Sequence, residues 1–483
     1  MCFLGVFDVS QRWLAVCLAL LLFLDFWPCF IVSASAAENG RRSFSFAIYD
    51  LSNGRWVEKK DEHLPMLPAS TMKLVTAIAA LDTLGPEYRW TTRVYSDSKP
   101  SKDGQIGRLW IVGSGDPMFL DKDFDLMLNS VYESNIRKID TLAIDLHLFD
   151  HKFLDTLGDK NVFAPYNIGP FPFVVNYKTT EVDVLHQGNR VLITANNYLP
   201  GSVSIDNRIK LSSIPCSQAS IDAYYVPGKA KSEGKIVVRG TDSVKCSHHE
   251  IYLSFMTHQQ YIENLFRRRW REITGNSLTK SIFDDAPKKN AILIATHRSY
   301  PLSTTLIGMN KFSNNLMSYL TFLSIGYASD EKKATFEAAH KKLISWLKEK
   351  KISTKHISIR DGCGISKDTR VTVYFLSELL RHAFHQNYFR VLLDSLPIAG
   401  KDGTLSYRFN NSRIKDHAFM KTGTLKNVRA LAGYWKTPNN HWYSFAAIVN
   451  CKRKCNDDDL AWLDKKTEKL YLSLSRSTIS WTV

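Results

Sequence analysis

Beyond its N-terminal segment, this 483-residue chain contains no long apolar run. A bilayer-spanning helix needs about 20 mostly apolar residues, so the sequence predicts no membrane span beyond that segment. Long internal repeats and low-complexity linkers are also absent, which excludes repeat architectures. The hydrophobic fraction of 44% and the charged fraction of 23% are those of a globular protein. The length predicts two or three domains.

Several ligand-binding signatures are absent as well. The chain has no Cys-x-x-Cys pair, and Gly113–Pro117 (Gly-Ser-Gly-Asp-Pro) does not match the G-x-G-x-x-G phosphate loop. We also expect no βαβ unit after this stretch. His248 and His249 are adjacent and would point apart on a strand. The sequence therefore predicts no metal site, no cofactor and no nucleic-acid partner.

The net charge of +16 is spread along the chain. Its densest cluster, Arg267–Arg271, lies in a helical pattern and is interpreted as a solvated helix face. A basic surface favours polyanions in general, so we expect peripheral contact with anionic polymers or membrane surfaces.

The N-terminus has the features of a secretory signal. Arg12 precedes an apolar stretch, and small residues follow at Ala34–Ala37. This pattern predicts a signal peptide over residues 1–36 that is cleaved after Ala36. The alternative is retention of the segment as an N-terminal anchor. In either case the protein is expected to be exported.

Five cysteines remain after the signal, and export makes disulfides permissible. Cys451 with Cys455 could close a small loop, and Cys216 with Cys246 could join neighbouring strands. Cys363 would then be free. The sequence itself does not fix this connectivity.

The two ends of the mature chain are expected to form one domain. A strand hairpin near residues 43–58 and three late strands together predict an antiparallel sheet flanked by helices, an α/β (α+β) fold. The late strands are expected at 417–425, 428–435 and 441–449. This discontinuous domain would comprise residues 37–90 and 291–483. Residues 91–290 would be a β-rich insertion of one or two subdomains.

Ser70 and Lys73 stand at the start of a long apolar run that ends at Gly85-Pro86. On a helix, residues three apart share a face, so the Ser70 hydroxyl and the Lys73 amine can meet. Burial would lower the pKa of this lysine and make it a base for the serine. By itself the pattern is short and common, and an N-cap serine followed by a solvated lysine is then the better explanation.

Two later motifs change that interpretation. Ser313-Asn314-Asn315 is an S-x-N inside a helical stretch, and Lys421-Thr422-Gly423 is a K-T-G on a predicted strand. S-x-x-K, S-D-N and K-T-G occur together in penicillin-binding proteins and class A β-lactamases. Each motif alone is weak evidence for these enzymes, whereas the occurrence of all three in this order is strong evidence.

The chain resembles the D-Ala-D-Ala carboxypeptidases of peptidase family S13, the class C low-molecular-mass penicillin-binding proteins. The resemblance rests on the three motifs and on four further stretches: Gly113–Pro117, Asp361–Ser366, Leu396–Gly400 and Asp402–Leu405. It implies a serine β-lactamase/transpeptidase-like domain with a large insertion. Asn314 replaces the family's usual Asp, and Cys363 replaces a usual Ser.

The resemblance also implies roles for residues of the three motifs. Ser70 would be the nucleophile, Lys73 its base, and Ser313 the proton donor to the leaving amine. Asn315 would hold the substrate amide. The carboxylate site would comprise Lys421, Thr422 and Thr424, with Gly423 leaving room for neighbouring elements. The backbone N–H groups of Ser70 and Thr424 would form the oxyanion hole.

The expected function is therefore a serine D-Ala-D-Ala carboxypeptidase, with DD-endopeptidase activity as an additional role. Its partners would be peptidoglycan stem peptides ending in D-Ala-D-Ala, with β-lactams as covalent inhibitors. It would lie on the periplasmic or cell-wall side of the membrane, in contact with anionic wall or membrane polymers. The alternatives are a β-lactamase or esterase on the same fold, and a catalytically weak wall-binding protein.

Overall fold

The computed structural model describes residues 40–150, 165–187, 190–196, 203–228, 234–327 and 333–477. The predicted signal segment, residues 1–36, lies outside these ranges. In the part of the chain that is described, no helix combines the length and the apolar character that crossing a membrane requires.

The strands are numbered in chain order. They are β1 Arg42–Asp50, β2 Arg55–Lys60, β3 Thr91–Ser96, β4 Gln105–Val112, β5 Lys138–Asp145, β6 Thr180–Gln187, β7 Arg190–Ala195, β8 Val203–Ser212, β9 Ser220–Pro227, β10 Gly234–Ser243, β11 His248–Leu253, β12 Lys280–Phe283, β13 Ile292–Arg298, β14 Ala418–Leu425, β15 Val428–Lys436 and β16 Trp442–Cys451.

The α-helices are numbered in the same way. They are α1 Met72–Thr83, α2 Asp121–Glu133, α3 His258–Thr274, α4 Leu302–Lys311, α5 Asn315–Tyr327, α6 Phe336–Glu349, α7 Val373–Phe384, α8 Phe389–Ser395 and α9 Asp457–Ser477.

The first sheet joins the two ends of the chain in the order β14-β15-β16-β1-β2, with antiparallel neighbours throughout. Successive side chains of a strand point to opposite faces. Ala47 of β1 accordingly packs with the core of α1, α4 and α7, while Ile48 packs with the core of α9. Both faces of this sheet are covered, as the sequence predicted.

Helix α1 is buried along most of its length, from Met72 to Leu81. Its apolar run has no polar face, and it packs against α4, α5 and α7. The helix ends where Gly85 takes a left-handed conformation (φ 83°) before Pro86. Burial of α1 has a consequence for Lys73, which lies in its first turn.

The inserted region contains a second five-stranded sheet in the order β12-β5-β4-β3-β13, covered by α2 and α3. Strands β4 and β5 are parallel and α2 connects them, so our expectation of no βαβ unit after Pro117 was wrong. The sequence does contain a signal for this helix. The Asp123 carboxylate accepts a hydrogen bond from the Leu120 N–H at the start of α2, and Phe124 and Leu128 follow at helical spacing. Strand β13 extends this sheet past the predicted end of the insertion at residue 290.

The remainder of the insertion is a small β-sandwich. One sheet has the order β8-β10-β9 and the other β11-β6-β7. Inward side chains from both sheets, including Val182, Val184, Ile236 and Val238, form its core. The insertion thus consists of an α/β unit and a β-sandwich.

The cysteine pairings proposed from the sequence are confirmed. Disulfides join Cys216 to Cys246 in the β-sandwich and Cys451 to Cys455 between β16 and α9. Cys363 is free and buried.

Substitution of Leu306 by Ala tests the packing of α4 against the first sheet's core. Leu306 is fully buried, whereas the neighbouring Ile307 is 40% exposed. We expect Leu306→Ala to lower the free energy of unfolding by about 2–5 kcal/mol because it leaves a cavity. Urea denaturation measures this loss. Ile307→Ala is the matched control and should change stability much less; equal losses would contradict the packing described here.

Candidate active site

Ser70 lies in a short 3₁₀ turn, Ala69–Thr71, which leads directly into α1. Ala69 before it has a left-handed backbone (φ 47°), and the Thr71 hydroxyl donates to the Pro68 carbonyl oxygen over 2.7 Å. Such strained residues cost about 1–3 kcal/mol and cluster at functional sites. The turn holds Ser70 partly exposed above the buried Lys73.

Three acceptors surround the Lys73 amine. Its Nζ lies 2.9 Å from Ser70 Oγ, 2.7 Å from Asn315 Oδ1 and 3.4 Å from the Cys363 carbonyl oxygen. A neutral amine has two N–H donors and one lone pair. Asn315 and Cys363 can accept the two hydrogens, which leaves the lone pair for the Ser70 hydroxyl proton. The geometry is therefore that of a base facing its nucleophile.

The environment of Lys73 favours that neutral form. The side chain is fully buried, and burial lowers the pKa of its amine because the charged form loses its hydration. The negative charge of nearby Asp361 partly opposes this shift.

The Asp361–Ser366 segment forms the wall behind Lys73. The Asp361 carboxylate accepts the backbone N–H groups of Cys363, Gly364 and Ser366. A Cβ at Gly364, where φ is 83°, would overlap the Ala69 carbonyl oxygen. This tightly bonded loop fixes the carbonyl that faces Lys73.

The thiol of Cys363 is enclosed in the wall behind Lys73. The side chain is fully buried, and burial raises the pKa of its thiol to about 12, with a further contribution from Asp361. Thiolate is the nucleophilic form, and burial disfavours it at neutral pH.

Ser313 lies at the junction of α4 and α5, with a left-handed backbone (φ 58°). Its Oγ accepts a hydrogen bond of 2.9 Å from Lys421 Nζ on β14. Lys421 also donates to the Thr422 carbonyl oxygen over 2.9 Å. Burial lowers the pKa of the Lys421 amine well below its usual value, and the charge of Lys73 lowers it further.

Strand β14 passes directly beside the turn that carries Ser70. A Cβ at Gly423 would lie 2.7 Å from the Pro68 carbonyl oxygen and 3.2 Å from Ala69 Cβ, so only glycine fits. The Thr422 hydroxyl donates to the Thr404 hydroxyl over 2.8 Å. Thr424 is exposed at the end of the strand.

The Leu396–Gly400 and Asp402–Leu405 stretches support the same region. Lys311 at the end of α4 pairs with Asp402 at 2.5 Å and donates to the Leu396 carbonyl oxygen. A Cβ at Gly403 would lie 2.6 Å from the Lys311 carbonyl oxygen. This ion pair fixes the end of α4 immediately before Ser313.

The structure brings together five of the residues selected from the sequence, in two bonded groups: Ser70, Lys73 and Asn315, and Ser313 with Lys421. The sequence did not single out three partners that complete the site. They are the Tyr166 carbonyl oxygen, which accepts from Asn315 Nδ2 over 2.9 Å, the Cys363 carbonyl oxygen and the Thr404 hydroxyl. Two of these are backbone atoms, for which a sequence gives no signal.

Comparison with known proteins shows the family of this chain. The profile of the D-Ala-D-Ala carboxypeptidase 3 (S13) family matches residues 32–468. The chain belongs to this S13 family. A D-alanyl-D-alanine carboxypeptidase from Actinomadura sp. is 26% identical over 434 residues, covering 83% of this chain and 77% of that protein.

Solved structures show the S13 fold. Penicillin binding protein 4 (dacB) from Haemophilus influenzae superimposes with a TM-score of 0.72 at 22% identity, covering 90% of this chain and 96% of that one. A second structure of that protein, complexed with a β-lactam, gives a TM-score of 0.67 at 21% identity with the same coverage.

The pH dependence of acylation tests the role of Lys73. Its lowered pKa means that the amine gains its lone pair as pH rises through that value and loses it as pH falls. The rate of acylation by a fluorescent penicillin should therefore rise with pH. Lys73→Arg, which stays protonated, should slow acylation by roughly 100-fold or more. The exposed Lys348→Arg is the control; equal rates for Lys73→Arg and the wild type would refute a base at Lys73.

Proposed function

We propose that this chain hydrolyses the D-Ala-D-Ala bond of peptidoglycan stem peptides through an acyl-enzyme on Ser70. Membership of the S13 family assigns it to the D-Ala-D-Ala carboxypeptidases, and the proposal adds penicillin binding and DD-endopeptidase activity. The observation that carries the residue-level proposal is the buried Lys73 amine, 2.9 Å from Ser70 Oγ and 2.7 Å from Asn315 Oδ1.

Acylation begins at the Ser70 hydroxyl. Lys73 Nζ takes the proton while Oγ attacks the carbonyl carbon of the penultimate D-Ala, which forms a C–O bond and a tetrahedral oxyanion. Asn315 would hold the substrate amide. Its bonds to Lys73 and to the Tyr166 carbonyl oxygen support this role, since they fix the side chain beside Ser70.

The oxyanion requires two donors aimed at the same point. We assign these to the backbone N–H groups of Ser70 and Thr424. The close approach of Gly423 to Pro68 and Ala69 supports this assignment, since it aligns the end of β14 with the Ser70 turn. Loss of one such donor typically costs about 3–4 kcal/mol of transition-state stabilisation.

The substrate carboxylate would bind to Lys421 and to the hydroxyls of Thr422 and Thr424. In the unliganded enzyme, burial and mutual repulsion lower the pKa of Lys421. An arriving carboxylate would favour the charged form of Lys421. A charged Lys421 in turn disfavours a charged Lys73, so substrate binding helps to keep the base neutral.

Collapse of the tetrahedral intermediate breaks the C–N bond and releases D-Ala. Ser313, 2.9 Å from Lys421 Nζ, would pass a proton to the leaving amine. Water then hydrolyses the ester and regenerates Ser70. A β-lactam offers the same carboxylate and a strained amide, so it should acylate Ser70 and leave slowly.

The proposed compartment is the periplasmic or cell-wall side of the membrane, reached by a signal cleaved after Ala36. Two disulfides in the mature region support export, because disulfides persist in oxidising compartments. The net charge of +16 supports peripheral contact with anionic wall or membrane polymers.

Penicillin labelling tests the nucleophile. Wild-type protein should form a stable covalent adduct with a fluorescent penicillin, and Ser70→Ala should form none because the hydroxyl is gone. Gel fluorescence after denaturation measures the adduct. Ser303→Ala on α4 is the control serine. Labelling of Ser70→Ala at wild-type strength, or rapid penicillin turnover without an adduct, would reject the proposal; the second result would indicate a β-lactamase.

Two substrates separate the two hydrolytic roles. We expect release of D-Ala from a pentapeptide ending in D-Ala-D-Ala, measured as free D-Ala, and cleavage of a cross-linked muropeptide, measured by chromatography. Both should vanish in Ser70→Ala. If the wild type cleaves neither substrate while it still binds penicillin, the alternative of a catalytically weak wall-binding protein is favoured.

A further inference from the structure

The β-sandwich of the insertion contains a polar cluster at one end of its core. On β6 the inward positions are Val182, Val184 and then His186; on β10 they end at Asp242. His249 pairs with Val184 in the β11–β6 register and also faces inward. We call His186, Asp242 and His249 the His–Asp–His cluster. None of its members belongs to the active site.

Both imidazoles face the same carboxylate. His186 Nε2 lies 2.8 Å from Asp242 Oδ2, and His249 Nε2 lies 2.8 Å from Asp242 Oδ1. The Asp242 side chain is 0% exposed and that of His186 is 4% exposed, whereas His249 is 23% exposed. The cluster is thus closed on the core side and open to solvent through His249.

Packing alone does not account for this cluster. Buried ionisable groups seldom stabilise a fold more than apolar side chains of similar volume would. As a hydrogen-bonded network it is also incomplete: within the described part of the chain, His186 Nδ1 is buried without a hydrogen-bond partner. By contrast, two imidazole nitrogens and one carboxylate are a common ligand set for divalent transition metals.

We propose that the His–Asp–His cluster binds a divalent transition metal ion, with Zn²⁺ as the best match. One ligand atom from each residue lies within 4.8 Å of the others. A tetrahedral zinc with bonds of about 2.0–2.2 Å holds its ligand atoms roughly 3.3–3.6 Å apart, so each imidazole nitrogen would move about half an ångström away from the Asp242 oxygen that it contacts at 2.8 Å. On binding, each neutral imidazole exchanges its proton from Nε2 to Nδ1 through solvent, so that Nε2 offers its lone pair to the metal while Asp242 stays a carboxylate. Water would occupy the fourth position, on the side of His249.

The Cys216–Cys246 disulfide lies beside the cluster. A sulfur atom of each cysteine and a nitrogen of His249 are within 4.8 Å of one another. Because both sulfurs are joined in the disulfide, they are not thiolate ligands. The bridge instead restrains the turn between β10 and β11, which carries Asp242 at one end and His249 close to the other.

Zinc titration of the full mature protein, stripped with a chelator and kept free of reductant, tests the proposal. We expect one saturable equivalent by calorimetry, and a Co²⁺ derivative with the absorption bands of a four-coordinate site. His186→Gln and His249→Gln keep a donor for Asp242 but lose the imidazole ligand, so each should weaken zinc binding by about 10-fold or more.

His248→Gln is the matched control, because His248 is adjacent in sequence but pairs with Asp183 on the outer side of the sheet. It should bind zinc like the wild type. Penicillin labelling of Ser70 verifies that each variant is folded. No saturable binding, equal affinity in His186→Gln and the wild type, or binding that requires reduction of the disulfide would each overturn the proposed ligand set.

Discussion

Burial of the Lys73 amine is the constraint on which the active site depends. The lysine is fully enclosed by α1, α5 and the Asp361–Ser366 loop, so its charged form loses its hydration. Among the residues that the structure describes, its hydrogen-bond partners are the Ser70 hydroxyl, the Asn315 amide oxygen and the Cys363 carbonyl oxygen, which are all uncharged. The same enclosure places a second buried amine, Lys421, close enough for the two charges to interact. Protonation of the pair is therefore coupled, and a bound carboxylate would decide which amine is charged.

The fold supplies this enclosure through elements that are far apart in the chain. The sheet brings β14 beside the Ser70 turn, and glycine at position 423 permits the close approach. The Lys311–Asp402 ion pair fixes the end of α4, so that Ser313 meets Lys421. Ser313, the proposed proton donor, thus depends on a contact with the Asp402–Leu405 stretch, which carries none of the proposed catalytic groups.

The features that could be predicted from the sequence are those that depend on local geometry and motif spacing. Ser70 and Lys73 meet because they are three residues apart at a helix start, and the sheet followed from alternating strands at both chain ends. The sequence did not predict atoms placed by packing alone, such as the Cys363 carbonyl oxygen facing Lys73. The βαβ unit was not predicted, although the helix cap at Asp123 can be recognised in the sequence. The His–Asp–His cluster could not be predicted, because its residues form no contiguous motif.

Asn315 shows how the insertion bears on the chemistry. Its amide has one acceptor and one donor end, and only one orientation satisfies both neighbours: Oδ1 accepts from Lys73, and Nδ2 donates to the Tyr166 carbonyl. The insertion therefore fixes the amide that contacts Lys73. Because Tyr166 contributes a backbone oxygen, replacing its side chain leaves this bond in place, whereas displacement of the Pro165–Asn167 turn would release Asn315. In the proposed mechanism the long insertion would thus support the base, in addition to any surface it offers to the cell wall.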